Sequence, residues 1–270
     1  LLLQVVEMKM FAFLSFRRWE NYALLAMASV AFLIGTAVRV DAISIPTSTE
    51  RVVAKTKIKS EHRNKEAYWV KRHRKIMEKA EDMNQVDVLF LGDSITHGFE
   101  NNFVWNYHFK NMKVLNAGIS SDRVEHMLWR VQQGLIKKAQ PKLVVFLGGI
   151  NNLGMHSPEY TAAGVAAIIE EIKKDSPNTK ILIQGVFPAG KLPSDKKRAR
   201  IKKLNQMLAD YDNGANVRYM DFGHKFLSAD GSISKRMMFD YLHLTTRGYH
   251  IWATAISDKL SQMLGRAANT

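Results

Sequence analysis

From residue 86 onward, short apolar runs alternate with longer amphipathic stretches. Runs at 86–91 (VDVLFL), 114–115, 143–147 (LVVFL), 181–186 (ILIQGV) and 217–220 (VRYM) have the length and composition of strands. Between and after them, residues 123–133, 158–174, 196–211 and 246–264 place apolar side chains at helical spacing. Another helical pattern precedes the first strand, from 61 to about 82, with Tyr68, Val70, His73, Ile76 and Met77 set among charges. Strands separated by helices imply crossover connections and a parallel sheet covered on both faces. The expected fold is therefore α/β, a three-layer α/β/α sandwich around a central parallel sheet of about five strands. No internal repeat interrupts it.

The first 42 residues follow a different pattern. Arg17 and Arg18 precede an unbroken apolar run at 22–38, and the small residue Ala42 follows. That is the layout of a secretory signal, although the run is long for one and slightly short for a spanning helix. A cleaved signal ending at Ala42 and an uncleaved membrane anchor both fit, and both place the remainder outside the cytoplasm. Residues 43–60 are polar and lack helical periodicity, as a linker does, leaving 61–270 as the folded domain.

Composition changes this picture little. Hydrophobic residues make up 46% and charged residues 24%, enough for an ordinary core. Cysteine is absent, which removes disulfides and thiolate metal sites. The net charge of +14 bears on association, with an anionic glycan or membrane surface as a conceivable partner. The densest basic run, 191–203 (KLPSDKKRARIKK), has no interleaved aromatic residues, so it reads as a solvated helix face and no nucleic-acid partner is expected. No HExxH or similar ligand spacing occurs, so no metal is expected.

The candidate chemistry sits where strands end. Gly92-Asp93-Ser94-Ile95-Thr96 follows the first strand, Asn116-Ala117-Gly118-Ile119-Ser120 the second, and Gly148-Gly149-Ile150-Asn151-Asn152 the third. Asp240-Tyr241-Leu242-His243 opens the last helix. A serine hydroxyl needs an adjacent base, and the base needs an orienting acid. Ser94, His243 and Asp240 supply these types, with Asp240 three residues ahead of His243. Asp221, ending the last strand, is the rival acid, and Asp240 is preferred. Candidate donors for a tetrahedral oxyanion are the backbone N–H groups of Ser94 and Gly118 and the Asn151 amide. His97, close to Ser94, is expected to be a partly exposed loop residue, with contact to substrate as the alternative. His126 and His250 are assigned to packing or surface, and Trp129 and Trp252 to the core.

These four blocks carry a resemblance. GDSIT, NAGIS, GGINN and DYLH match, in order and spacing, the conserved blocks of the GDSL (SGNH) hydrolase family. The sequence is most similar to its platelet-activating-factor acetylhydrolase-like branch, through Leu128-Trp129-Arg130, residues 183–188 (IQGVFP), and His243-Leu244-Thr245 with Gly248-Tyr249. The similarity runs from about Tyr68 to Leu264. It implies a flavodoxin-like sandwich, a nucleophile at Ser94, oxyanion residues at Gly118 and Asn151, an acid and base at Asp240 and His243, and no metal or organic cofactor. Three positions depart from the pattern. Ile95 replaces the leucine of the family name, Ile150 stands where many relatives have Thr or Ala, and Ser121 stands where this branch commonly has Gly before Asp122. The Gly-x-Ser-x-Gly elbow of the other large serine-esterase fold is absent around Ser94.

The expected function is a secreted or membrane-tethered serine esterase acting on short acyl esters, acetyl above all, with acetylated carbohydrate as the first substrate class. The alternatives are an acetylhydrolase acting on phospholipid or other small esters, an acyltransferase, and a non-catalytic glycan-binding module. Loops after Thr96, at 155–159 and at 189–195 are expected to line the cleft.

Overall fold

A computed structural model describes residues 68–266. The signal-or-anchor segment, the linker and the first residues of the domain expected from residue 61 lie outside the described residues. Five strands, β1 (Val88–Gly92), β2 (Val114–Gly118), β3 (Leu143–Leu147), β4 (Lys180–Gln184) and β5 (Val217–Met220), pair in the order β2-β1-β3-β4-β5. Every pairing is parallel. The helices are α1 (Tyr68–Met83), α2 (Ser94–Glu100), α3 (Phe103–Phe109), α4 (Val124–Gln132), α5 (Leu135–Ala139), α6 (Pro158–Asp175), α7 (Lys196–Ala209) and α8 (Thr246–Leu264), with a 3-10 turn at Gly223–Phe226.

The unbroken apolar runs form strands because both faces of the sheet are covered. Leu89, Leu91, Val144, Phe146, Ile181 and Ile183 point into a core closed by α1 and α4–α7. Val88, Phe90, Val145, Leu147 and Leu182 point to the other side, where α2, α3 and α8 supply Phe99, Trp105 and Trp252. The expected three layers are present. Trp252 is fully buried and Trp129 packs partly buried against the first core.

Three short helices, α2, α3 and α5, have no counterpart in the sequence reading. They span 7, 7 and 5 residues, less than the window over which helical periodicity registers. β2 is also longer than the expected 114–115, because Asn116, Ala117 and Gly118 continue the strand instead of turning. Gly92 pairs directly with Gly118 at the carboxyl ends of β1 and β2. Those ends set the position of the candidate site.

Candidate active site

Ser94 is the first residue of α2, immediately beyond β1. The turn is tight: a Cβ on Gly92 would lie 2.5 Å from the Leu147 carbonyl oxygen, which is why glycine ends this strand. Asp93 caps the new helix, its Oδ1 accepting the Ile95 N–H at 2.9 Å. Helix initiation thus fixes the residue beside the cap, and Ser94 is left half-buried with its hydroxyl toward the loop before α8.

That loop is organised by one carboxylate. Asp240 Oδ1 accepts the backbone N–H groups of Leu242 (3.1 Å) and His243 (2.7 Å), forming a local turn in which Tyr241 has φ +64°. Its other oxygen, Oδ2, lies 2.6 Å from His243 Nδ1. The opposite ring nitrogen, Nε2, lies 2.9 Å from Ser94 Oγ. Burial raises the Asp240 pKa, but the bonds from the His243 side chain and backbone, its charge and the Leu242 N–H outweigh it and hold the carboxyl below its ordinary value. An ionised Asp240 accepts from Nδ1–H, which leaves Nε2 to accept from the serine. Phe239 stacks on the imidazole from the exposed side, with centroids 5.9 Å apart.

Asp221, the rival acid, is held by other partners. His224 follows it by three residues, so spacing alone does not separate it from Asp240. Its carboxylate instead accepts from Asn205 Nδ2 (3.0 Å), Tyr219 Oη (3.3 Å) and the Gly223 N–H (2.8 Å), with no bond to His243.

The expected oxyanion donors divide. Asn151 Nδ2 donates to the Asp122 carbonyl at 2.9 Å, which uses one of its two amide hydrogens. The adjacent Asn152 is fully buried, accepting from the Val124 N–H (3.0 Å) and donating to Glu125 Oε2 (2.8 Å), so the loop after β3 is tied to the start of α4. Gly118 departs from the expectation. Its N–H is taken by Asn116 Oδ1 at 2.9 Å, and it remains within β2. The reason for glycine there is packing, since a Cβ would lie 2.3 Å from the His97 nitrogen and push α2 off the sheet. The left-handed residue of the following loop is Ser121, at φ +63°. A side chain therefore occupies a conformation that favours glycine, which explains why glycine is common at this position in the branch and leaves the serine here unexplained.

A cleft of about 440 Å³ opens beside the serine, lined by Ser94, His97, Asn101, Ser120, Phe239 and His243 among others. Residues 155–159 and 189–195, expected along it, do not line it. The segment around Phe239 does. His97 is also corrected: it belongs to α2, not to a loop, and is half-buried in the cleft wall. Burial, then the Arg72 charge, lower its pKa below the ordinary histidine value, with Glu100 pulling the other way. His126 is buried and caps α4, its Nδ1 accepting the Arg123 N–H at 3.0 Å, while His250 is exposed. The lysine-rich run begins α7 as a largely solvated face, with Lys203 paired to Glu159. Among the described residues, no group of three or more His, Cys, Asp or Glu side chains is arranged to hold a metal.

Asp93 gives the site a pH-linked stability. Burial raises its pKa from 3.8 to about 7; the Ile95 N–H opposes this, the Asp122 charge reinforces it and the His243 charge opposes it. An acid with a raised folded-state pKa contributes stability that is complete below 3.8 and lost as pH rises through about 7. Asp93→Asn keeps the cap oxygen and removes the titration. The wild type is expected to lose stability relative to this variant between about pH 5 and pH 8. Thermal melts of both proteins across that range test it, and parallel curves would rule it out.

A hydroxyl, an imidazole and a carboxylate in one hydrogen-bonded line, at the carboxyl end of a parallel sheet, form an arrangement that serine-dependent hydrolases use. Residues 90–251 match the model of the GDSL-like lipase/acylhydrolase family. The chain belongs to that family, and it is a carboxylic ester hydrolase. It is similar to the human platelet-activating factor acetylhydrolase IB subunit alpha2, with 34% identity over 197 residues, covering 73% of this chain and 85% of that one. Its fold is similar to that of a GDSL-like lipase from Bacteroides thetaiotaomicron, with a TM-score of 0.60 and 21% identity over 71% of this chain and 97% of that one. A carbohydrate acetylesterase from Sinorhizobium meliloti shares the fold at a TM-score of 0.53 and 16% identity, covering 67% of this chain and 99% of that one.

Proposed function

We propose that this protein hydrolyses short-chain carboxylic esters, acetyl esters first, through an acyl-enzyme on Ser94. The observation that carries the reading is the continuous bond line from Ser94 Oγ through His243 to Asp240, at 2.9 and 2.6 Å. His243 Nε2 takes the serine proton as Oγ attacks the ester carbonyl, then returns it to the departing alkoxide. Water, deprotonated by the same nitrogen, attacks the acyl-serine and releases the acid. Asp240 holds the ring tautomer and stabilises the imidazolium. The Ser94 N–H and the second Asn151 amide hydrogen are the donors we assign to the oxyanion. Asn151→Ala is expected to lower kcat about 10²–10³-fold with a smaller change in KM. Steady-state kinetics check this, and an unchanged kcat removes Asn151 from the role.

Acetylated carbohydrate is the substrate class we favour. The cleft wall offers His97, Asn101 and Ser120, and Phe239 presents an exposed ring at its mouth. Polar groups and a flat apolar ring together suit a hydroxylated alcohol better than a lipid chain. The extracytoplasmic address, with release or membrane tethering, belongs to the same proposal and rests on residues 17–42 of the sequence. The deciding experiment compares p-nitrophenyl esters from acetyl to decanoyl, then acetylated xylo-oligosaccharides against an acetylated phospholipid. Fastest turnover on acetyl and on the sugar esters supports the reading. Preference for the phospholipid would transfer the protein to the acetylhydrolase alternative.

A further inference from the structure

The serine, histidine and aspartate leave one titratable side chain of the cleft without a task. His97 lies three residues after Ser94 in α2, which places both on one side of the helix. Its Nδ1 lies 3.1 Å from Ser120 Oγ and 3.1 Å from Tyr68 Oη. Tyr68 comes from α1 and Ser120 from the loop after β2, so three separate elements converge on one imidazole. The Tyr68 ring stacks on it, with centroids 6.1 Å apart, yet remains 59% exposed. Phe239 is 57% exposed and stacks in the same way on His243. Each histidine of the cleft thus carries an aromatic ring open to solvent.

We infer that His97, Ser120 and Tyr68 form the subsite for the alcohol half of the ester, and that this half is a hydroxyl-bearing sugar ring. The inference rests on the esterase reading above and adds the residues that select the substrate. A neutral imidazole offers one donor and one acceptor, and each hydroxyl offers both. Tyr68 Oη lies against both ring nitrogens, 3.1 Å from Nδ1 and 3.4 Å from Nε2, and Ser120 Oγ lies against Nδ1, so the donor and acceptor capacity these bonds leave on Nε2, Ser120 and Tyr68 can serve a ligand. A sugar supplies matching hydroxyls, and the C–H face of its ring can lie on an aromatic ring such as Tyr68. An alcohol without hydroxyls would desolvate these groups and leave them unpaired. A site built to bond a substrate hydroxyl discriminates strongly for that reason.

The test compares two substrates with the same acyl group. Full-length wild type, His97→Ala, His97→Gln, Tyr68→Phe and Ser120→Ala are assayed on p-nitrophenyl acetate and on acetylated xylo-oligosaccharides. For His97→Ala, kcat/KM on the sugar ester is expected to fall at least about tenfold further than on p-nitrophenyl acetate, mostly through KM. His97→Gln, which keeps a donor and an acceptor, should recover part of the difference. Tyr68→Phe and Ser120→Ala should each give a smaller shift in the same direction. A parallel fall on both substrates would mean that His97 acts on Ser94 or on the fold, and would overturn the subsite. Wild type active on p-nitrophenyl acetate but inert on the sugar ester would overturn it too, leaving the esterase reading in place. Wild type inert on both would remove the esterase reading first.

Discussion

Replacing Ser94 with alanine is expected to lower kcat on p-nitrophenyl acetate by at least about 10⁴-fold while leaving the fold unchanged. The two halves of that expectation have different physical origins. Removing Oγ deletes the nucleophile, and no other side chain stands within bonding distance of His243 Nε2 in the described site. What survives is whatever rate the oxyanion donors provide with water as the attacking group, a small residue in enzymes of this class. Stability has little reason to change. The helix cap is made by Asp93, the tight turn by Gly92, and among the described residues the Ser94 hydroxyl bonds only to a half-exposed imidazole. A melting temperature within a few degrees of wild type, together with lost turnover, is the expected pair of results. An alanine variant that retains more than a few per cent of the activity would place the nucleophile elsewhere.

The parts of this site that were legible in the sequence are those where local chemistry and chain order coincide. Asp240 and His243 could be read together because three residues of turn bring them onto one side, and the same carboxylate that orients the ring also builds the turn. Ser94 could be read because a strand, a glycine and a capping aspartate precede it. The strands were legible because a sheet covered on both faces demands unbroken apolar runs.

The failures are equally physical. Residue type and the family resemblance make Gly118 a candidate donor, but its N–H is taken by Asn116, two residues earlier in the same strand. Sequence shows that glycine is needed without showing whether the cause is a ligand or a packed helix. The sequence reads His97 as a loop residue because α2 is too short for periodicity to register. The contribution of Tyr68 was invisible for another reason. It lies 29 residues before His97, and only the packing of α1 against the sheet brings them together. The segment after Thr96 lines the cleft through His97, Gly98 and Asn101, whereas 155–159 and 189–195 do not, because lining depends on where a connection travels after leaving the strand and composition does not encode that path.

The largest expected loss of stability comes from a residue that touches no substrate. Arg130 is fully buried in α4, as is its partner Asp122, with Nη2 to Oδ2 at 2.8 Å. The guanidinium also donates to the Ala117 carbonyl at 2.7 Å and reaches the Gly92 carbonyl at 3.4 Å, at the ends of β2 and β1. Asp122 in turn accepts from Trp69 Nε1 at 2.6 Å through Oδ1, and its backbone carbonyl holds Asn151. Arg130→Met therefore takes the guanidinium partner from a buried carboxylate that also has Trp69 Nε1 at 2.6 Å and His126 Nδ1 at 3.9 Å. Breaking such a pair costs about 3–5 kcal/mol, because the survivor keeps its desolvation penalty without its counter-charge. For a folded region of this size that corresponds to a fall in melting temperature of about 6–20 °C. Activity should fall with it, since the Asp122 loop positions Asn151. The double variant Arg130→Met, Asp122→Leu leaves no unpaired charge and should be more stable than Arg130→Met alone, although Trp69 loses its acceptor. Denaturant titration of both single variants and the double variant measures the coupling. A loss below about 1 kcal/mol for Arg130→Met would mean that water or a shifted backbone takes over the carboxylate, and that the buried pair does not hold the site together.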